Sequence, residues 1–359
     1  MTGTAAAWGW VAHLADGGTT PWVVWSGTAE PRGDRLPGAQ NLELLRRLNL
    51  AGRPGPGLVE GVLAVDPSRR SRPALPLAGG PEPLNHGPRP VDPADLRDGE
   101  LSRLAAVLLA QRLAATTPGP APAPGFRRPW RTPYRLVGDP ELVVPLRRHL
   151  VARGRPPGGR PVLVLALATD TGQALVDLWT AQSLHHGAPP WPEWIATTAR
   201  QYRLPDEADP DRLARARRGD VPVHVVTDPA LAPRLLGVRR GPGVPPRPAA
   251  SAVDLGRRIA SALRPMAPGP RRARLMAEVV RSWLAAADGE PLVVPEQHRE
   301  WVRAEADRVL GEVRRGRYPV HGDPALLLPA DRPGTAAVAS SETLALAVRL
   351  LLERTEETT

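Results

Sequence analysis

A run of eight apolar residues, PVLVLALA at 161–168, most constrains how this chain can fold. A continuous run of this kind is typical of a strand that is buried on both faces, as strands in parallel sheets are. Further strands are predicted at 134–137, 221–226 and 318–321, and the sequence between the strands has helical patterns. Strands that alternate with helices favour an α/β fold with a mainly parallel, doubly wound sheet.

A proline-rich segment at 117–125 divides the sequence into two predicted regions. Alternating proline favours an extended, stiff spacer, so we place the domain boundary at this segment. Before it, residues 1–116 are predicted to form a tryptophan-rich, mostly helical N-terminal region. After it, residues 126–359 are predicted to form the α/β domain, whose clearest helix is at 296–315 because its apolar residues form one stripe.

The chain contains neither lysine nor cysteine, and this excludes several kinds of chemistry. A Walker-type phosphate loop and Schiff-base catalysis both need lysine, while thiol nucleophiles and thiolate metal sites need cysteine. The scarcity of lysine, phenylalanine, tyrosine and methionine matches mutational bias in a high-GC genome. The net charge of +10 therefore does not by itself indicate a nucleic-acid partner, and the sequence has no motif that reads nucleic acid.

The sequence has no feature of a secreted or membrane protein. Its first ten residues, MTGTAAAWGW, lack the basic start and the following apolar stretch of a secretory signal. The apolar run at 161–168 is too short to span a bilayer. We therefore expect a cytoplasmic protein without a membrane partner.

An aspartate follows each predicted strand, and these aspartates are the main candidate site residues. Asp139, Asp228 and Asp323 each begin an Asp-Pro pair, and Asp170 has the equivalent place after the run at 161–168. In a parallel sheet these positions share the edge formed by the carboxyl ends of the strands. Ligands of open α/β sheets bind at that edge, so we expect a site there.

Two histidines, His224 and His321, lie in or at the end of two of the same strands. With the neighbouring carboxylates they would provide a general acid–base pair or a site for a hard metal ion. The competing interpretation is that each aspartate caps the following helix, because Asp-Pro is a favoured helix start. Asp170 also stands three residues before Gln173, which is the spacing of a capping box. These residues identify no particular metal or cofactor.

The segment 168–172 is the strongest candidate for an anion site. Asp170 and Thr171 open a predicted helix there, and the backbone N–H groups at a helix N-terminus attract negative charge. The alternative is an ordinary strand-to-helix turn, since Asp170 itself repels a phosphate. A long loop at 237–250 carries Arg239, which would close over an anion because arginine binds phosphate and sulfate bidentately.

Several segments of the second half of the chain occur in a distinctive order. They are VHVV at 223–226, PLVVP at 291–295, an amphipathic helix with Trp301, and RYPVHGD at 317–323. The last three segments resemble the C-terminal end of actinobacterial sulfotransferase-like proteins, and VHVV resembles an internal strand of the same proteins. The resemblance implies an α/β fold related to nucleotide-binding proteins and a 3′-phosphoadenosine-5′-phosphosulfate donor. That family's PK[ST]GTT motif has only DGGTTP at 16–21 as a counterpart, without lysine, so no catalytic residue is carried over.

Two functions stay open from the sequence, and nucleic-acid binding is a third, less favoured one. The first is a small-molecule or nucleotide-binding α/β protein with an anionic ligand at the strand edge, which would include a degenerate sulfotransferase-like protein. The second is a non-catalytic interaction or regulatory protein that binds a protein partner through its tryptophan-rich N-terminal region.

Overall fold

The chain divides into two compact units, each made of separate segments. The first unit contains Met1–Thr117, Asp254–Ala287 and Ala339–Thr359, and the second contains Pro118–Val253 and Asp288–Val338. The structure is a computed structural model, and it describes residues 3–31, 35–68, 73–80, 87–117, 119, 133–158, 161–216, 221–243 and 246–356.

Helices make up most of the regular secondary structure of the described residues. In chain order, the α-helices are α1 (Gly3–Ala15), α2 (Ala39–Ala51), α3 (Pro56–Ala64), α4 (Asp98–Ala115), α5 (Pro140–Ala152), α6 (Thr171–His186), α7 (Trp191–Arg200), α8 (Pro210–Ala216), α9 (Ala232–Leu235), α10 (Ala250–Leu263), α11 (Gly269–Leu275), α12 (Arg281–Ala285), α13 (Glu296–Arg315) and α14 (Ser340–Glu356). A π-helical turn, Met276–Val280, joins α11 to α12. None of these described helices has the length and apolar character needed to cross a bilayer.

The second unit contains a four-stranded parallel sheet, which confirms the α/β class. Its strands are β1 (Tyr134–Gly138), β2 (Leu163–Leu167), β3 (Val223–Val226) and β4 (Val320–His321). They are hydrogen-bonded in chain order, β1-β2-β3-β4, and every neighbouring pair is parallel. The described strands therefore show no reversal of strand order, which is the feature that opens the ligand crevice of a doubly wound sheet.

Strand β2 is buried on both of its faces, as the run at 161–168 predicted. On one face, Leu165 and Leu167 pack with buried side chains of α5 and α9. On the other face, Val164 and Ala166 pack with Ala214 of α8. A strand in this position has no solvent-facing side, so its sequence does not alternate between apolar and polar residues.

Helices α6, α7 and α13 share a core at the end of the sheet where β2 leaves it. Trp179 of α6 and Trp191 of α7 are fully buried there, with ring centroids 5.6 Å apart. Val302 and Val309, from the predicted apolar stripe of α13, belong to the same core. This packing holds the first turn of α6 close to the early turns of α13, and the candidate site lies between them.

The first unit is helical in its described residues and includes segments from the C-terminal half of the chain. Arg258 of α10 donates to the Gly99 carbonyl at 2.9 Å, and Arg112 of α4 donates to the Leu351 carbonyl of α14 at 2.9 Å. The predicted domain at 126–359 differs from this division, because α11, α12 and α14 belong with the N-terminal helices. Of the predicted linker at 117–125, all residues but 117 and 119 lie outside the described residues.

Candidate functional site

Three of the four strand-end aspartates cap a helix: Asp139 caps α5, Asp170 caps α6 and Asp323 caps a short 3-10 helix, Pro324–Leu327. The fourth, Asp228, bonds to the backbone within a turn that precedes α9. The hydrogen bonds run from Glu141 N to Asp139 (2.9 Å), from Gln173 N to Asp170 (2.8 Å), from Ala230 N to Asp228 (3.0 Å) and from Ala325 N to Asp323 (2.9 Å). Each bond satisfies a backbone N–H group at the start of a helix or, for Asp228, of a turn. The capping interpretation therefore accounts for these residues structurally, and a ligand-binding role needs further evidence at each position.

The structure brings the two predicted histidines together. His224 Nδ1 lies 2.8 Å from His321 Nε2, and the rings are stacked with centroids 5.0 Å apart. Burial and the nearby His321 lower the pKa of His224, because both disfavour the charged imidazole. The polar atoms that face each other in this pair already satisfy one another.

A cavity with several charged groups in its lining lies at the start of α6. Its volume is about 280 Å³, and its lining comes from Asp170, Gly172, Gln173 and Val176 of α6 and its cap, together with segments at 292–294, 299–303 and 329–332. Eight of its fourteen lining residues are apolar or glycine. We call the side with the exposed residues Arg299, Arg303 and Asp331 the mouth, and the side with the buried Asp170 the floor. Such a division is typical of pockets for small molecules, in which a few polar groups fix the orientation of an apolar ligand body.

Three arginines give this cavity its positive charge. Arg299 and Arg303 stand one helical turn apart on the same side of α13, and Arg332 reaches in from the loop that follows β4. Arg299 and Arg303 are exposed and form no ion pair or hydrogen bond with another residue that the structure describes. One exposed carboxylate, Asp331, also lies at the mouth.

The floor of the cavity holds a buried ion pair. Arg332 Nη1 lies 2.5 Å from Asp170 Oδ2, and the Asp170 side chain is 5% exposed. The same Arg332 nitrogen donates to Gln173 Oε1 at 3.3 Å. Burial raises the pKa of Asp170, although the Gln173 N–H bond and the charge of Arg332 act in the opposite direction. Asp170 therefore orients an arginine at the floor in addition to capping α6.

Two buried carboxyl groups, Asp139 and Asp177, lie next to Gln173. Gln173 Nε2 donates to Asp177 Oδ1 at 2.5 Å, and Asp177 faces the buried Asp139. Burial, and then repulsion from Asp177, raise the pKa of Asp139 to about 8. Burial also raises the pKa of Asp177. Two adjoining carboxylates with little solvent hold one proton between them at neutral pH, because both cannot ionise together.

The acidic cluster of Asp209, Asp211 and Glu312 is the one group among the described residues with the spacing of metal ligands. Its carboxylates are already engaged by cations and donors. Arg308 contacts Asp209 at 2.9 Å and Glu312 at 2.7 Å, and Tyr318 donates to Asp211 at 2.8 Å. We therefore interpret this cluster as a structural ion-pair network.

The cavity includes only one of the seven residues that the sequence analysis proposed as ligand-binding. That residue is Asp170. The neighbouring hydroxyl of Thr171 donates to the Leu327 carbonyl at 3.0 Å, and Arg239 is exposed on its loop. The described lining of the cavity includes neither histidine of the pair, and it includes neither Asp228 nor Asp323.

Sequence reasoning missed Arg299, Arg303, Arg332 and Asp177. The four-residue spacing of Arg299 and Arg303 on a predicted helix was a usable signal, because side chains at that spacing share a face. However, the chain has 47 basic residues, and spacing alone does not select these two. No local pattern marks Arg332, since the loop at 329–332 reaches the cavity only through the tertiary fold.

No protein-family model matches the chain, and no match is found among curated proteins or among solved structures. The resemblance to sulfotransferase-like proteins therefore stays a prediction, and the function is argued from the cavity.

Proposed function

We propose that this protein binds a small anionic molecule in the cavity at the start of α6. The observation that carries the proposal is the pair Arg299 and Arg303, two exposed arginines one turn apart at the mouth of an apolar-walled cavity. A guanidinium group presents several donors in one plane and binds carboxylate, sulfate or phosphate bidentately. Two such groups without ion-pair partners among the described residues favour an anionic ligand.

The position of the cavity supports the same conclusion. It lies at the N-terminal end of α6, a helix of 16 residues, where the backbone dipole favours negative charge. Asp170 offsets part of this field, but its charge is itself paired with Arg332. An anionic group is therefore expected to bind most favourably at the mouth of the cavity.

The size of the cavity limits the ligand. A volume of about 280 Å³ is at the lower end of the range for small-molecule pockets. A compact acid or phosphate ester would be enclosed, whereas a nucleotide would extend out of the mouth. A nucleotide ligand, and with it a degenerate sulfotransferase-like protein, remains a narrower form of this proposal. The segment at 292–294, which belongs to the resemblance, forms part of the cavity wall.

The alternative function, a partner surface in the tryptophan-rich region, receives less support. The indole N–H groups of Trp10, Trp22 and Trp25 donate to the carbonyls of Thr20, Ala78 and Ala6. These tryptophans thus serve the packing of the first unit. Two neighbouring valines, Val23 and Val24, are more than half exposed, and a partner surface would centre on them.

The test of the proposal is calorimetric titration of the full chain with phosphate, sulfate, hexanoate and adenosine 3′,5′-bisphosphate. The variant Arg299→Gln/Arg303→Gln should lose at least about tenfold in affinity for every anion that binds, because a charged hydrogen bond contributes roughly 1.5–3 kcal/mol. Binding should also weaken as salt rises.

The matched control is Arg314→Gln/Arg315→Gln, which removes the same charge from exposed positions at the other end of α13. It should bind like the wild type. If the two double variants lose affinity equally, the effect is one of overall charge and the cavity is not the site.

A further inference from the structure

We propose that the ligand of this cavity carries a hydrogen-bond donor, such as an amine or a hydroxyl, at some distance from its anionic group. This inference rests on the proposed function and specifies the chemical class of the ligand. It follows from the groups at the floor of the cavity, which differ from those at the mouth.

The floor offers a buried acceptor. Asp170 is 4% exposed, and its Oδ1 accepts from the Gln173 N–H group. Its Oδ2 accepts no hydrogen bond from any group that the structure describes. The neighbouring Arg332 Nη1 is close, at 2.5 Å, but this contact lacks hydrogen-bond geometry. Buried carboxylate oxygens normally accept hydrogen bonds, so a ligand donor that takes the place of Arg332 at this oxygen would be favourable.

The cation at the floor is the most easily displaced member of the pair. Arg332 lies in the loop at 329–332, and 35% of its side chain is exposed, against 5% for Asp170. An anion at the mouth meets Arg299 and Arg303 first and also attracts Arg332. When Arg332 turns toward the anion, Asp170 loses its ion-pair partner while it stays buried, although the charge of Arg247, which forms no ion pair with it, still acts on it.

A ligand that has an anionic group but no hydrogen-bond donor is therefore expected to bind less tightly at this site. A buried carboxylate whose cation has left is strongly unfavourable, because the charge is neither solvated nor paired. A ligand that places an amine or hydroxyl beside Asp170 replaces the lost partner. The apolar wall between floor and mouth, formed by Val176, Val294 and Val302, fits an alkyl or aromatic body between the two polar groups.

The remaining polar groups of the cavity agree with this orientation. Gln173 is occupied on both sides, since its amide nitrogen donates to Asp177 and its oxygen accepts from Arg332. Asp331 is exposed at the mouth, where it opposes a second anionic group more than a donor. The geometry thus points to an amphoteric molecule, with its donor at the floor and its anion at the mouth.

The experiment compares matched probes on the full chain by calorimetry. The probes are hexanoate, which has only the anion, hexylamine, which has only the donor, and 6-aminohexanoate, which has both at opposite ends, with 4-aminobutanoate and 8-aminooctanoate to vary the spacing. The best amino acid of this series should bind at least about tenfold more tightly than hexanoate, a difference of about 1.4 kcal/mol.

The variant Asp170→Asn isolates the donor contact. Asparagine caps a helix about as well as aspartate, so α6 should keep its start. The variant should lose the preference for the amino acids while it keeps, or improves, the affinity for hexanoate. The variant Arg299→Gln/Arg303→Gln should instead weaken both kinds of acid.

The outcomes separate the two proposals. If the acids bind through Arg299 and Arg303 but no amino acid exceeds hexanoate, the donor inference is wrong and the anion site stands. An amine advantage that persists in Asp170→Asn also overturns the inference. If no acid, with or without an amine, binds at millimolar concentration, both proposals fail.

Discussion

Two places along the carboxyl edge of the sheet have aspartates that bond to the following backbone, but their surroundings differ. At the start of α6, Asp170 faces a cavity of about 280 Å³ with Arg299 and Arg303 at its mouth. At the ends of β3 and β4, His224 and His321 bond to each other at 2.8 Å. The comparison teaches that a cap is neutral evidence for function. Unpaired charge beside a cavity distinguishes the first place from the second.

The largest effect that would sharpen this comparison is the pH dependence of stability that arises from the carboxyl groups of Asp139 and Asp177. The pKa of Asp139 is raised to about 8, so the folded protein binds a proton there that the unfolded chain releases near pH 4. Below pH 4 the carboxyl groups are protonated in the folded and the unfolded state, so the pair does not lower the free energy of unfolding. As the pH rises toward 8, the free energy of unfolding falls by roughly 1.4 kcal/mol per pH unit for one proton. No effect of this size is expected at the histidine pair, which is only partly buried.

The variant Asp177→Asn should therefore be more stable than the wild type at pH 8, by about 1–2 kcal/mol, because the repulsion on Asp139 is gone. This advantage should shrink as the pH falls to 5. Urea unfolding across this pH range measures it, with Asp307→Asn, exposed on α13, as the control for net charge. Parallel stability curves for Asp177→Asn and the wild type would show that the pair does not share a proton.

A smaller effect is expected at Gly172, which lines the cavity in the first turn of α6. A methyl group at this position would lie 3.6 Å from Val294 and 3.8 Å from Val302, in ordinary contact. Alanine in place of glycine in a helix stabilises by roughly 0.5–1 kcal/mol. Gly172→Ala should raise the melting temperature and yet weaken binding, because the methyl group takes ligand space.

The control is Gly311→Ala, within α13, where a methyl group would meet only the end of the Arg315 side chain at 3.5 Å. It should bring a similar gain in stability with binding unchanged. If Gly172→Ala binds every anion as well as Gly311→Ala does, the ligand does not occupy the space beside Gly172.

The smallest effect is expected at the histidine pair. Because the pKa of His224 is lowered, the fold favours its neutral ring, and this contribution to stability is lost as the pH falls below 6.5. His224→Asn should reduce the loss of stability at low pH by less than about 1 kcal/mol, since the pair is partly solvated. Anion binding at pH 7.5 should stay unchanged. A loss of binding in His224→Asn would place the site at the sheet edge of β3 and β4 instead.

The sequence predicted the local elements well where one strong signal was present. The apolar run at 161–168 contains β2, and the apolar stripe at 296–315 coincides with α13. Asp139-Pro140 and Asp323-Pro324 marked helix starts, because both residues act through their own local chemistry, whereas Asp228-Pro229 begins a turn. The doubly wound arrangement depends on strand order, which no local pattern specifies, and the described strands follow chain order.

The candidate site was predicted only in part, for the same physical reason. Asp170 was found because its position after a strand is a local feature. Arg332 reaches the site through long-range packing, and its sequence neighbours give no sign of it. Asp177 lies on α6 itself, but its pairing with Asp139 depends on the tertiary fold. The parallel case is the segment 254–287, whose place in the first unit depends on contacts with helices far away in the chain.

The central claim is tested most directly by the crystal structure of the protein soaked in selenate, an anion that is located by its anomalous scattering. We predict an anomalous peak at the mouth of the cavity, within hydrogen-bond distance of the guanidinium groups of Arg299 and Arg303 and absent from the Arg299→Gln/Arg303→Gln variant. Selenate bound only at other surface arginines, with this cavity empty, would contradict the account.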